Sequence, residues 1–197
     1  MDATVVASML KWPNVPDCYG WLHLDAKGHW RMGEIRAGEP SPSRVAHEGL
    51  RSFMNRNYLC PSPHKAWALQ NGPQRVWVTL ATAPLVLSLH AGQAIAHTGA
   101  VVEIQRLIYS SDGLVYAETD LGPAAIEAAS MDAFSQGLQY ANEQHAEQID
   151  LTDMLLRCPE KLVWQQSAAH PRIPLGACSS DQIEQELGFV RQPMLAT

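Results

Sequence analysis

Residues 74–80, QRVWVTL, alternate cleanly between two faces: Val76, Val78 and Leu80 point one way, and Arg75, Trp77 and Thr79 the other. A second β-rich run begins at Trp67, and Asn71-Gly72-Pro73 separates the two. Asn-Gly tolerates the positive φ of a tight turn, so the pattern predicts a hairpin over residues 67–80 as the centre of the chain. One face should bury aliphatic side chains; the other carries a cation beside an indole. Residues 44–58 have the other periodicity. Ala46, Leu50, Phe53, Met54 and Asn57 share a face at helical spacing, with Arg44, Glu48, Arg51, Ser52 and Asn55 opposite. Ser43 is the expected cap, and Cys60-Pro61-Ser62-Pro63 ends the helix, since proline cannot continue its hydrogen-bond ladder.

Weaker patterns place the remaining elements. Residues 3–11 predict a short helix with Asp2 as N-cap and Val5, Val6, Met9 and Leu10 as its apolar stripe. Pro13 and Pro16 enforce an extended link. Residues 20–25 and 29–34 predict paired strands around the turn Ala26-Lys27-Gly28, and residues 36–43 a loop. Residues 85–89 predict a further strand, and Gly92 to Gly99 a joint between two lobes, 1–92 and 93–197. The second lobe predicts a meander from strands at 101–109, 114–119 and 124–128, then a helix from Ser130 to about Tyr140. Residues 151–157 fit helix or strand, 161–165 a strand, 170–180 irregular chain around Pro171 and Pro174, and 180–187 a closing helix. The expected fold class is α+β: mostly antiparallel sheets in two lobes, each braced by a helix.

Composition narrows function by exclusion. Of 197 residues, 46% are hydrophobic and 17% charged, enough apolar surface for a substantial core. A formal net charge of -6 supplies no basic field for phosphates and argues against nucleic acid as partner. The longest apolar run, 76–89, is interrupted by Pro84 and falls short of a membrane span. No signal peptide is read at the N-terminus, so a soluble, cytoplasmic protein is expected. Cys18, Cys60, Cys158 and Cys178 are far apart without a CxxC pair, and free thiols are expected. The six tryptophans, each needing a partner for its indole N–H, should dominate packing.

WPNVPDCYGWLHLD (12–25), GHWR (28–31), FMNRNY (53–58), WALQNGPQRVWV (67–78) and LGFVRQP (187–193) together resemble a family of uncharacterised proteobacterial proteins, a domain of unknown function. The resemblance implies no activity. More loosely, the order of G-x-W, helix ending near an aromatic, hairpin, and strand ending in T-x-P is similar to a second uncharacterised bacterial family. That likeness implies two small α+β subdomains, one pleckstrin-homology-like, and a signalling role. The segment CPSPHKA (60–66) departs from the pattern, where a more acidic or glycine-bearing turn is expected.

The chemistry-bearing group is Asn55, Arg56 and Asn57 with Asn71, Gln74 and Arg75. Amides and guanidinium forks can hold a carboxylate or phosphate, and Trp30 and Trp77 can floor such a site by cation–π contact with Arg75. The competing reading is that these groups satisfy backbone at a helix end and a turn. Cys18, Cys60 and His64 could supply three metal ligands, but Cys-x3-His is weak and a fourth is lacking, so no metal is expected. His23 and His29, on paired strands, are read as ordinary sheet residues. His47-Glu48 starts like H-E-x-x-H, yet Arg51 stands where the second histidine belongs. G-x-S-x-G, Walker and G-x-G-x-x-G motifs are missing. No catalytic residue and no cofactor are indicated. The expectation is a non-enzymatic binding or signalling module with Asn55, Arg56, Asn71, Gln74, Arg75, Trp30 and Trp77 at its site. The alternative is an enzyme or sensor using Arg56, Arg75 and His47 on a small anionic ligand. A protein partner, or a homodimer covered by residues 141–175, is a third reading.

Overall fold

The computed structural model describes residues 1–35, 41–61, 65–141 and 151–194. The chain divides into two compact units, Met1–Pro84 with Gly188–Thr197, and Leu85–Leu187.

The first unit contains α1 (Ala3–Lys11), β1 (Cys18–Leu24), β2 (Trp30–Met32), β3 (Ser43–Arg44), α2 (Glu48–Arg56), β4 (Tyr58–Leu59), β5 (Ala68–Asn71) and β6 (Gln74–Leu80). Its six strands form one sheet in the order β3-β2-β1-β6-β5-β4. Only the β1–β6 ladder is parallel, pairing Leu22 with Val78 and Leu24 with Leu80. The central hairpin forms as the alternation predicts, but its turn is one residue later than Asn-Gly implies. Asn71 still pairs with Gln74, so Gly72 and Pro73 are the two turn residues. Gly72 alone takes positive φ, +59°, and the proline follows it, the glycine-first arrangement that matches strand twist.

Both faces of this hairpin are covered. Val76, Val78 and Leu80 are buried as expected, and Trp77, expected on an open face, is only 4% exposed. It packs with Ala66 and Ala68 under Tyr19 and Val190. The closing segment reaches this face through backbone bonds from Val190 N to Lys65 O (3.1 Å) and from Leu80 N to Arg191 O (2.9 Å). Trp30 fills the opposite side, edge-on to Tyr58 at 5.0 Å.

Helix α2 is shorter than residues 44–58. Ser43 and Arg44 pair as a strand with Met32 and Arg31, so the helix cannot begin there. His47 is the N-cap instead: its Nδ1 accepts the Leu50 N–H at 3.2 Å. Asp2 precedes α1 without capping it by its side chain, and of the α1 stripe only Val5 is buried; Leu10 is 81% exposed.

The second unit contains β7 (Leu85–His90), β8 (Gln93–Ala96), β9 (Val101–Val102), β10 (Ile104–Ser110), β11 (Val115–Thr119), β12 (Gly122–Ile126), α3 (Met131–Gln136), β13 (Leu138–Tyr140), α4 (Leu151–Arg157), β14 (Leu162–Trp164), β15 (Ile173–Cys178) and α5 (Ile183–Leu187). Its nine strands run β13-β14-β15-β10-β11-β12-β7-β8-β9. The predicted meander is the β10–β11–β12 core of this sheet, with parallel ladders on its flanks to β15 and β7. Leu107, Val115, Tyr116, Ala117 and Ala124 are fully buried.

Four expectations for this half change. Leu85–His90 pairs with β12 and β8 and so belongs to the second unit, and the division falls before Leu85 rather than near residue 92. The segment 92–99 is not a joint: it contains β8, Gln93–Ala96, inside the second unit. The helix after Ser130 stops at Gln136, because Leu138–Tyr140 pairs with Trp164–Leu162. Residues 173–178 are a strand despite Pro174: the parallel ladder to β10 starts at Leu175, past the residue that lacks an N–H. Residues 151–157 are helical. Residues 142–150 of the proposed dimer segment lie outside the described residues.

Candidate functional site

The seven residues singled out in the sequence occupy four separate places in the first unit. Trp30 is 2% exposed and donates its indole N–H to Asn55 Oδ1 at 2.7 Å, so a buried indole is joined to a half-buried amide. That bond fastens α2 to β2. Arg56 reaches away from both. Its Nε and Nη2 donate to the two carboxylate oxygens of Asp2 at 3.0 and 3.1 Å, and Nη1 donates to Ser52 Oγ at 2.7 Å. Bonding to Arg56 and then to Asn57 holds the Asp2 carboxyl below the usual carboxylate range.

Arg75 lies over the Trp77 ring at 5.5 Å, as the alternation implied. Its Nε is buried without a hydrogen-bond partner among the described residues. Trp77 donates its N–H to Asp17 Oδ2 at 2.8 Å and stacks on Tyr19 at 6.0 Å. The two indoles therefore serve different faces and floor no common pocket. Asn57, wholly buried, is a cap: Nδ2 donates to Phe53 O at 2.8 Å and Oδ1 accepts the Asp2 N–H at 2.8 Å.

Asn71 and Gln74, the residues flanking the hairpin turn, do come together at a cavity. They line one end of a cleft of about 310 Å³ between α2 and the sheet. Its floor is Leu22, Met54, Leu69 and Val76, all buried, and its rim is Trp21, Met32 and Leu50, which are 44%, 38% and 39% exposed. Cys18 and Phe53 complete it. The local cause is plain from the chain. Gly20 and Trp21 interrupt the β1–β6 register between Cys18 and Leu22, and this irregularity turns the Trp21 indole to the rim. On α2, Leu50 and Phe53 lie on the helix face that carries Met54, but Met54 alone reaches full burial. Apolar walls with a few polar groups at one end are the usual form of a small-molecule site. The sequence pattern had marked Leu50, Phe53 and Met54 only as core, and the exposed Trp21 was missed; a single tryptophan flanked by Gly20 was the available signal.

Among the described residues no three histidine, cysteine, aspartate or glutamate side chains gather as a metal requires. His64 lies outside the described residues. Burial pushes the Cys60 thiol up, away from the thiolate form. His23, 8% exposed, bonds Gly33 O through Nε2 at 2.8 Å, while His29 Nδ1 sits 3.5 Å from Asp25 Oδ2, so each of the two strand histidines serves its own turn. No helix among the described residues is long and apolar enough to cross a membrane.

Fold and cleft together define a two-unit α+β protein built mainly of antiparallel sheet, with an apolar pocket and no reactive cluster among the described residues. The chain belongs to the DUF2944 family, whose model, described as "Protein of unknown function (DUF2946)", matches residues 1–194. The resemblance to a domain of unknown function is thereby a membership, and the family's description assigns no activity. No curated protein matches the chain. Two solved structures are similar to it. One is a DUF1285 family protein from Silicibacter pomeroyi DSS-3, 12% identical, covering 89% of this chain and 96% of that one at a TM-score of 0.49. The other is a DUF1285 family protein from Shewanella baltica OS155, 16% identical, covering 56% of this chain and 86% of that one at a TM-score of 0.37.

Proposed function

We propose that the protein is a non-enzymatic binding module whose first unit holds a small, largely apolar molecule in the cleft beneath α2. The single observation that carries this reading is the composition of that cleft: of its lining, only Cys18, Asn71 and Gln74 are polar, and three large apolar side chains stand open at the rim. An aromatic or alicyclic body fits the floor, and one hydroxyl or ring N–H fits the amide end. Neither Arg56 nor Arg75 lines it, so among the described residues the cleft offers no cation to an anionic ligand.

Thermal shift with indole and 2-naphthol as probes tests the reading. Both should raise the melting temperature of the wild type. The Leu50→Lys variant changes a half-exposed rim residue; it should fold normally and lose the shift. Equal stabilisation of Leu50→Lys, or no stabilisation of the wild type by either probe at millimolar concentration, would overturn the proposal.

A second reading keeps the anionic ligand, and its support is the buried, unpartnered Nε of Arg75. A carboxylate or phosphate held there would show as binding of inorganic phosphate or acetate that disappears in Arg75→Met.

A further inference from the structure

The second unit has a larger cleft of opposite character. It measures about 650 Å³ and is framed by the β7–β8 turn, the β8–β9 hairpin, the start of β10 and the chain from Trp164 to Ile173. Among the described residues no lysine or arginine lines it. Its two formal charges are both carboxylates, Glu103 and Asp120, within a chain of net charge -6. Two hydrogen bonds join them: Asp120 N donates to Glu103 O at 3.2 Å, and Glu103 N donates to the side-chain Asp120 Oδ1 at 2.8 Å. The Asp120 carboxylate is fixed by its bond to the Glu103 N–H, and both residues are exposed.

Part of the lining is apolar. Trp164, Ile104 and Ile173 are buried beneath it, and Val101 stands 57% exposed at its edge. Gln166 also lines the cleft, and its Nε2 is buried without an acceptor among the described residues. The turn that closes one end is strained: Ala91 adopts φ +47° just before Gly92 at +75°. His170 is tied back by its Nδ1 to Ser167 Oγ at 2.8 Å, which fixes the far loop.

We infer that this cleft binds a small organic cation, an amine with an apolar body, its ammonium held by Glu103 and Asp120 and its body laid on the Val101–Ile104–Trp164 wall. An inorganic cation is the poorer fit. Two carboxylates without a third hard ligand do not make a metal site, and a bare ion leaves the apolar wall unused. An anion meets only negative charge. The site is distinct from the apolar cleft of the first unit and does not depend on it.

The test is a titration of ¹⁵N-labelled protein with phenethylamine at neutral pH, set against phenylacetate, which has the same ring and the opposite charge. Phenethylamine should give saturable shifts confined to the amides of Gly92, residues 101–104 and Ser167, weakened by added salt. Phenylacetate should give none there. The double variant Glu103→Gln/Asp120→Asn keeps the Oδ1 acceptor for the Glu103 N–H and should weaken binding by about tenfold. A second variant, Val101→Arg, places a cation at the exposed edge and should abolish it. Undiminished binding in both variants, equal shifts from phenylacetate, or no saturable shift with phenethylamine would overturn the inference.

Discussion

Asp25 shows how a few side chains fix local geometry. Its Oδ1 accepts the Lys27 and His29 N–H groups at 3.0 and 2.9 Å, closing the β1–β2 turn, and Oδ2 accepts Arg31 Nε at 2.8 Å. Partial burial raises its pKa, but the His29 N–H, Arg31 and the Lys27 N–H outweigh that and hold it below the usual value. Asp25→Ala should cost about 1–2 kcal/mol and Asp25→Asn less, since asparagine keeps Oδ1; urea unfolding measures both. The Trp30–Asn55 bond is of a different kind, because the indole is buried. Asn55→Leu strands a donor in the core and should cost about 1–3 kcal/mol in the same assay. At this scale the sequence was informative about residue type and poor about partners. It marked Trp30, Asn55, Arg56 and Arg75 as interesting, and all four have partners or ring contacts. The partners of the first three, respectively Asn55, Trp30 and Asp2, lie 25 and 54 residues away, and no spacing rule reaches that far.

Among the elements, the hairpin was legible because period-two alternation and a turn dipeptide are both local signals. Gly137 illustrates what is not local. A Cβ there would lie 2.5 Å from Trp164 Nε1 and 2.7 Å from Gln165 O, so α3 can pass into β13 only with glycine at that point. Gly137→Ala should destabilise the protein by about 1–3 kcal/mol, and near-ultraviolet circular dichroism should report a displaced Trp164. The helix expected to run through Tyr140 failed for the related reason that Leu138–Tyr140 has a strand partner far along the chain, at Leu162–Trp164. Strand β15 was hidden by its proline, since a proline at the entrance to a ladder looks the same in sequence as one that breaks it. The over-long α2 has a simpler cause: Ser43 suits a cap by type, but His47 does the capping.

For the whole molecule, His97 sets a pH dependence. It follows β8, and its Nδ1 accepts the Val86 N–H at 3.4 Å. Burial lowers its pKa to about 4. The unfolded imidazole takes up its proton near pH 6.5, so between 6.5 and about 4 the unfolded chain binds more protons than the folded one. Stability is intact above pH 6.5 and falls as the pH drops through that window, by on the order of 3 kcal/mol from this group. His97→Gln should flatten the loss between pH 6.5 and 4, measured by unfolding at several pH values. The division into two units, and the assignment of the closing segment to the first, rest on backbone pairing across most of the chain. At this scale the α+β class, the mostly antiparallel sheets and the meander were readable beforehand, and the boundary between the units was not. The central functional claim rests on the cleft of the first unit, and Cys18, at its edge, is a built-in reporter. Alkylation of Cys18 and Cys60 should be followed by mass spectrometry with and without saturating 2-naphthol. Slower modification of Cys18 with Cys60 unchanged is the predicted result; equal rates at Cys18 with and without the probe would contradict it.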